Sequence, residues 1–356
     1  MDPSPQRARR AGRALAAVTT PIGVGFLGAG PATQAIHVPT LSTFGDRFKI
    51  VKVMDLDGSL ARTIADRVGA TATTNADELL NDPAVDVVAV NSPNAFHVDQ
   101  VIAACAAGKR AILCEKPLAL TTDDAARIAT ASATSEVPIV VGTMHAYDPA
   151  VVAAFDAWAE VGEQAHFTRS SIYLPRNRVF ASAASNIRVP PEVTPPSPHP
   201  GEPTIRDVIL GLAIHAVPLV RRLLPTFDDV AIGRYLRPVG YFVTARSGPW
   251  TAQMIGLMPT QWRPVWTLQA VSDQHELTIS FPPSYVLAGS ASAELSGPDG
   301  TRRWRFATNG YQAEWSEIEA IVGRGAPPRF TMTNAVDDLA YALKLIEGSD
   351  REPERV

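Results

Sequence analysis

Cysteine is scarce in this chain, with only Cys105 and Cys114 among 356 residues. Two cysteines make no disulfide framework, which excludes the small stapled secreted scaffolds and suits a reducing cytoplasm. Long apolar runs are missing too. None reaches the 18 residues that a membrane-spanning helix needs, so no membrane partner is expected. Charge of one sign is nowhere in large excess: 32 Lys and Arg stand against 36 Asp and Glu. A net charge of -4 gives no reason to expect nucleic acid or an anionic lipid surface. No His, Cys and Asp cluster has metal-ligand spacing, and no metal is expected. What is present is length and apolar content, 46% of residues, enough to bury the cores of two or three domains.

The one basic run is "QRARRAGRALAAVTT", within residues 1–20. Arg9 and Arg10 precede small apolar residues, as in an export signal. The apolar part, "ALAAV", is shorter than such a signal requires. Residues 1–20 are expected to be a flexible extension.

Residues 21–145 alternate between two periods. "IGVGFL", "FKIVKVM", "VDVVAV", "RAILC" and "VPIVVG" read as strands. Between them lie helical patterns, with Leu60, Ile64 and Val68 at spacing four and "HVDQVIAACAAG" ending on Gly108. "TTDDAARIATA" opens with residues that satisfy the free N–H groups of a first helical turn. Near-continuous apolar strands separated by helices predict a doubly wound α/β domain, a parallel sheet covered on both faces. In residues 146–350 the rhythm changes to "RSSIYL", "WTLQAV", "HELTISF" and "RRWRFA", the last three joined by close turns. That half is expected to be α+β with a mostly antiparallel sheet, interrupted by a helix over about 205–224 and closed by one over about 333–346. Residues 189–203, "VPPEVTPPSPHPGEP", carry seven prolines in fifteen positions and read as a surface loop or lid.

"GFLGAGPAT" follows the first strand and opens a helix. Gly28 and Gly30 occupy the first two positions of G-x-G-x-x-G, where the backbone turns tightly and approaches a pyrophosphate. Pro31 and Ala32 would begin the helix whose free N–H groups and positive dipole end face that phosphate. Thr33 stands where the third glycine belongs. Asp55 closes the second strand, 22 residues beyond Thr33, and would accept from ribose hydroxyls while repelling a 2′-phosphate, favouring NAD over NADP. Asn91, Ser92, Pro93, Asn94 and His97, in "NSPNAFH" at another strand end, are placed on the nicotinamide side.

"CEKPLAL" then ends the "RAILC" strand above the same crevice. Glu115 and Lys116 are expected to face the ligand, and Pro117 to fix the backbone that aims Lys116. Cys114 reads as a core residue, since no His neighbours it.

The ordered motifs "GFLGAG", "AIHVPTL", "NSPNAFH", "GKRAILCEKPLALT" and "VGTMHAYDP" resemble the Gfo/Idh/MocA family, named for glucose–fructose oxidoreductase and inositol dehydrogenase. The resemblance covers about residues 22–150 and continues weakly to the end. It implies NAD(P)-dependent oxidation or reduction of a sugar, cyclitol or related hydroxyl, with Lys116 as acid/base. It also implies a large open sheet used for homodimer or homotetramer contacts. The family's second signature, an Asp four residues before a His, is matched only by His215, because Gly211 stands at the Asp position. The nearest acid is Asp207. His145 and Tyr147 fall where the family places an Arg and an aromatic, with Ala146 at the Arg position itself. Tyr173, Arg176 and Arg178 are further substrate candidates. Two other readings stay open: a redox-neutral enzyme that recycles tightly bound NAD during elimination or epimerisation, and a non-catalytic dinucleotide sensor.

Overall fold

The computed structural model describes residues 20–175, 203–259, 264–283 and 288–349. The basic N-terminal run, Arg176, Arg178 and residues 189–202 of the proline-rich stretch lie outside the described residues.

Six parallel strands form the first sheet: β1 (Ile22–Leu27), β2 (Phe48–Met54), β3 (Thr71–Thr73), β4 (Val87–Val90), β5 (Ala111–Glu115) and β6 (Ile139–Gly142). Their order is β3-β2-β1-β4-β5-β6, so the direction of winding reverses between β1 and β4. Open parallel sheets bind ligands at such a reversal, in the crevice outside the carboxyl ends of the strands. β1 and β4 are buried at every position, as the apolar runs require of strands covered on both faces. Leu60 and Ile64 point inward from the helix Gly58–Val68, and Gly108 takes the left-handed conformation behind the helix His97–Ala106. Thr121 caps the helix Thr122–Ser135, its hydroxyl accepting from the Asp124 N–H at 3.1 Å.

The second sheet has eight strands: β7 (Phe167–Tyr173), β8 (Asp229–Tyr235), β9 (Gly240–Ser247), β10 (Trp250–Leu257), β11 (Val265–Val271), β12 (Glu276–Ser280), β13 (Ser292–Gly297) and β14 (Gly300–Trp304). Its order is β14-β13-β12-β11-β7-β10-β9-β8. Among the described residues of this sheet only β7 and β10 pair in parallel; every other ladder is antiparallel. One face is buried against helices.

Packing departs from chain order in the last part of the molecule. The helix Gly310–Arg324 returns to the first sheet, and its Trp315 is fully buried among Phe26, Phe48 and His37. A boundary at residue 145 therefore describes the order of the chain and not its cores. The expected helix over 205–224 is also broken. It runs Ile205–Gly211, passes through a 3₁₀ turn at Ala213–His215, and resumes at Val217–Leu223. Pro218, in the first turn of the last segment, cannot supply the N–H that a continuous helix would need.

Candidate cofactor and substrate site

The glycine loop sits at the switch point. Gly28 has φ of 100°, and a Cβ there would lie 2.8 Å from the Asn91 carbonyl carbon and the Ser92 nitrogen. Backbone geometry alone demands glycine at 28. Gly30 differs. No φ in the left-handed range constrains it, and a Cβ would meet no described atom within 4 Å. No described residue requires that space, whereas a pyrophosphate brought close to the backbone would, so the loop fits a dinucleotide. Thr33, in the third glycine's place, is fully buried. Its hydroxyl donates to the Gly28 carbonyl at 2.6 Å and accepts from the Asn91 amide at 2.9 Å, tying the loop to the end of β4. The first turn behind Pro31 and Ala32 then widens into a π-helix over Thr33–His37.

Asp55 holds the same loop from the other side. One carboxylate oxygen accepts from the Ala29 N–H at 2.8 Å and the other from the Asp57 N–H at 3.0 Å. Each oxygen keeps a lone pair for a ribose hydroxyl. Beside it Leu56 is 74% exposed, an apolar residue that the sequence reading passed over.

Past β4, Ser92, Pro93 and Asn94 reach the surface of the crevice, and Ser92 bonds to Gln100 at 2.6 Å. His97 does not reach it. The imidazole is fully buried, with Nδ1 2.8 Å from the Pro117 carbonyl and Nε2 2.9 Å from the Ser92 carbonyl. That leaves no ring nitrogen for a ligand. His97 joins the two loops instead, and burial lowers its pKa.

Glu115 also departs from expectation, because it turns inward. Trp315 Nε1–H donates to His37 Nδ1 at 3.2 Å, so that nitrogen carries the lone pair and Nε2–H donates to Glu115 at 3.0 Å. The second Glu115 oxygen accepts from the Lys116 N–H at 3.2 Å. Burial works against ionisation, but the His37 hydrogen bond and the positive charge of Lys116 outweigh it and hold the Glu115 carboxyl below its ordinary range. Nothing in the sequence marked His37 or Trp315 as parts of this chain, since they lie 278 positions apart.

Lys116, by contrast, reaches across to the broken helix of the second half. Its ammonium donates to the Gly211 carbonyl at 3.2 Å. Gly211 has no side chain to supply the acid of the family pattern, and only its carbonyl meets Lys116. Asp207 does not substitute, because its side chain accepts from the Thr204 N–H and hydroxyl at 2.8 Å each and caps its own helix. Burial lowers the Lys116 pKa, and the negative charge of Glu115 opposes the shift.

His145 and His215 complete the group, with ring centroids 6.4 Å apart. Both lie against Trp266 of β11, at 4.2 and 5.3 Å, and His145 also touches Phe281 at 4.1 Å. Burial pushes His145 down to about 3. Burial, with the nearby Lys116, lowers His215 well below its usual value. Both rings are therefore neutral near pH 7. His145 Nε2 and His215 Nδ1 are buried and have no hydrogen-bond partner among the described residues. Eight other buried side-chain atoms share that state among the described residues. It is the position of these two on the aromatic wall, with Lys116 near His215, that makes them candidates for a ligand. Trp266 and Phe281 are the residues that sequence reasoning missed; only the register of the second sheet reveals them.

Register also removes a candidate. Trp266 pairs with Ile172, and neighbours along a strand face opposite sides, so Tyr173 projects from the other face of the sheet. Tyr147 is buried on the far side of the short helix Met144–Tyr147, its ring 4.9 Å from Phe330. Neither joins the histidine pair. Cys114 is buried, and desolvation, assisted by Glu115, pushes its thiol up, so it is no nucleophile.

Residues 22–143 match a family described as an oxidoreductase family with an NAD-binding Rossmann fold, GFO_IDH_MocA. Over these residues the chain is similar to the nucleotide-binding domain of the Gfo/Idh/MocA family. An uncharacterized protein of Saccharomyces cerevisiae is 32% identical over 155 residues, 43% of this chain and 44% of that protein. Inositol 2-dehydrogenase 3 of Saccharopolyspora erythraea is 37% identical over 128 residues, 36% of this chain and 37% of its own length. The chain thus spans under half the length of these two relatives. The fold likeness extends further. A structure of KijD10, a 3-ketoreductase from Actinomadura kijaniata in complex with NADP and TDP-benzene, superposes with a TM-score of 0.72 at 17% identity. It covers 92% of this chain and 98% of that one.

Proposed function

We propose that the protein is an NAD-dependent oxidoreductase acting on a hydroxyl or ketone of a sugar, cyclitol or sugar derivative. The observation that carries the reading is one cluster: an inward-aimed Lys116 and two unpartnered, neutral imidazole nitrogens on an aromatic wall, beside a glycine loop shaped for a dinucleotide. Gly28, Gly30, Pro31, Ala32 and Thr33 would hold the pyrophosphate, Asp55 the adenosine ribose, and Ser92, Pro93 and Asn94 the nicotinamide side. Asp55 is the ground for choosing NAD, since a 2′-phosphate would meet its carboxylate.

When bound, nicotinamide supplies a two-electron hydride acceptor or donor. The chain supplies the proton chemistry. On oxidation the free amine of Lys116 takes the substrate hydroxyl proton, and on reduction the ammonium returns it to the carbonyl oxygen. Its lowered pKa raises the fraction present as amine, while Gly211 occupies one N–H and fixes the direction of the others. His145 Nε2 and His215 Nδ1 orient neighbouring hydroxyls, and Trp266 and Phe281 receive the apolar face of the ring and exclude water. The half-exposed outer face of β7 and β10 suits pairing with a second copy of the chain.

Purified protein incubated with NAD and a panel of polyols, inositols and sugars tests this. Stoichiometric NADH formation with at least one of them is expected. Turnover without net NADH would transfer the reading to cofactor recycling, and NAD binding with no product from any compound would overturn it.

A further inference from the structure

The helix Ile205–Gly211 is fastened to the segment Lys116–Leu120 at both of its ends. At its start the Arg206 guanidinium donates to the Leu120 carbonyl at 2.6 Å. At its end the Gly211 carbonyl accepts from the Lys116 ammonium at 3.2 Å. Both bonds cross between the two halves of the chain, over 86 and 95 positions.

The far end follows from where the helix stops. In a continuous α-helix the His215 N–H would bond to the Gly211 carbonyl. It turns instead to the Leu212 carbonyl at 3.4 Å, which releases the Gly211 oxygen from its helical partner. The same break starts the 3₁₀ turn Ala213–His215. One short helix therefore sets both where Lys116 is anchored and where His215 begins.

The two fastenings differ in kind. On losing its proton Lys116 also loses one of its donors and the charge that strengthens the others, so its bond to Gly211 varies with protonation. Arg206 stays charged at every working pH, and its bond to Leu120 does not vary. The rest of the segment is tied to its own sheet. The Lys116 N–H donates to Glu115 at 3.2 Å, and the Pro117 carbonyl lies 2.8 Å from His97 Nδ1. Arg206 ties it to the helix that leads to His215.

We propose that Arg206 is a positioning residue: by holding Leu120 to the start of the helix Ile205–Gly211, it fixes the separation of Lys116 and His215 while the Lys116 proton comes and goes. The inference rests on the reading of Lys116 as the proton carrier.

The test compares Arg206→Met, which keeps the apolar stem, with Arg206→Lys, which keeps a cation able to donate to Leu120. In the full chain saturated with NAD, Arg206→Met should lower kcat by about tenfold to a hundredfold, the scale for misplaced reacting groups. The NAD dissociation constant should not change. The rising limb of the oxidation pH profile should stay in place, because burial and the Glu115 charge act on Lys116 and Arg206 does not. Arg206→Lys should recover most of the rate, which a merely structural role does not predict. Hydrogen exchange reads the same frame without turnover: amides of residues 205–215 should exchange faster in Arg206→Met than in wild type or Arg206→Lys. Wild-type silence on every compound would therefore defeat the redox reading and leave exchange to decide the frame. Unchanged kcat or unchanged exchange in a folded Arg206→Met variant, a displaced limb, or no recovery with lysine would overturn the assignment.

Discussion

The two walls of the crevice are built on opposite principles. On the wall contributed by the parallel sheet, most polar groups are tied to one another, the Asn91 side-chain oxygen being an exception. Thr33 bridges Gly28 and Asn91, Asp55 holds Ala29 and Asp57, His97 spans Ser92 and Pro117, and Glu115 is fixed by His37. On the opposite wall, His145 Nε2 and His215 Nδ1 have nothing to bond to among the described residues, and they rest on aromatic rings. The first wall presents a finished backbone shape, which suits a ligand of constant form such as a dinucleotide. The second leaves valences for the ligand to complete, which is where recognition of a particular substrate resides. Lys116 stands between them, bonded across the gap to Gly211.

The largest effect should come at that junction. Lys116→Ala is expected to leave NAD affinity unchanged in a fluorescence titration and to lower kcat by roughly two to four orders of magnitude, the usual contribution of a general acid/base. A parallel loss of NAD binding would mean that the lysine belongs to the cofactor wall. Next come the two glycines, whose demands differ in origin. Gly28→Ala forces a side chain into left-handed backbone and against Asn91 at 2.8 Å, so it should destabilise the fold by about 1–3 kcal/mol in chemical denaturation. Gly30→Ala meets no described atom within 4 Å. Its melting temperature should match wild type while the NAD dissociation constant rises about tenfold, or roughly 1.4 kcal/mol. If both variants lose stability, the open space at Gly30 is not reserved for a ligand.

The difference between the walls also governs how much of the site could be read from sequence. The parallel sheet, its switch point, the glycine loop and Asp55 are local features, encoded by apolar periodicity and short spacings. The strands β8, β9 and β10 were not anticipated, because half-buried strands on a sheet with one open face are apolar only at alternate positions, a weaker signal than the continuous apolar runs of strands covered on both faces. Trp266 and Phe281 became visible only through strand register, which a sequence specifies by pairing and not by motif. Tyr173 failed as a candidate for the same reason, since one position along a strand reverses the face. Glu115 was misread because its partner, His37, is held by Trp315 from the far end of the chain. The bond from Lys116 to the Gly211 carbonyl was likewise illegible, since any residue supplies a carbonyl and only geometry says which one is used.

Stability should respond with opposite sign on the open wall. His145→Phe and His215→Phe each remove a buried nitrogen that lacks a partner, so neither should destabilise, and a gain of about 1 kcal/mol is expected from thermal or urea unfolding. Activity should fall in the same variants by about tenfold to a hundredfold in kcat/KM, with NAD affinity unaltered. Loss of stability in both would mark the histidines as packing residues.

The smallest effect tests how the finished wall acts across the gap. Burial lowers the Lys116 pKa, while the Glu115 charge raises it. For oxidation the amine is the active form, so kcat should rise with pH and level off below the ordinary lysine range. Glu115→Gln keeps an oxygen for His37 Nε2–H but removes the negative charge, leaving burial unopposed. The Lys116 pKa must then fall further, and the rising limb of the oxidation profile should move to lower pH, by less than about one unit for a single partly screened charge. In the reduction direction, where the ammonium is the donor, the falling limb should move the same way. A limb that shifts to higher pH, or differs between the two directions, would mean that a group other than Lys116 carries the proton.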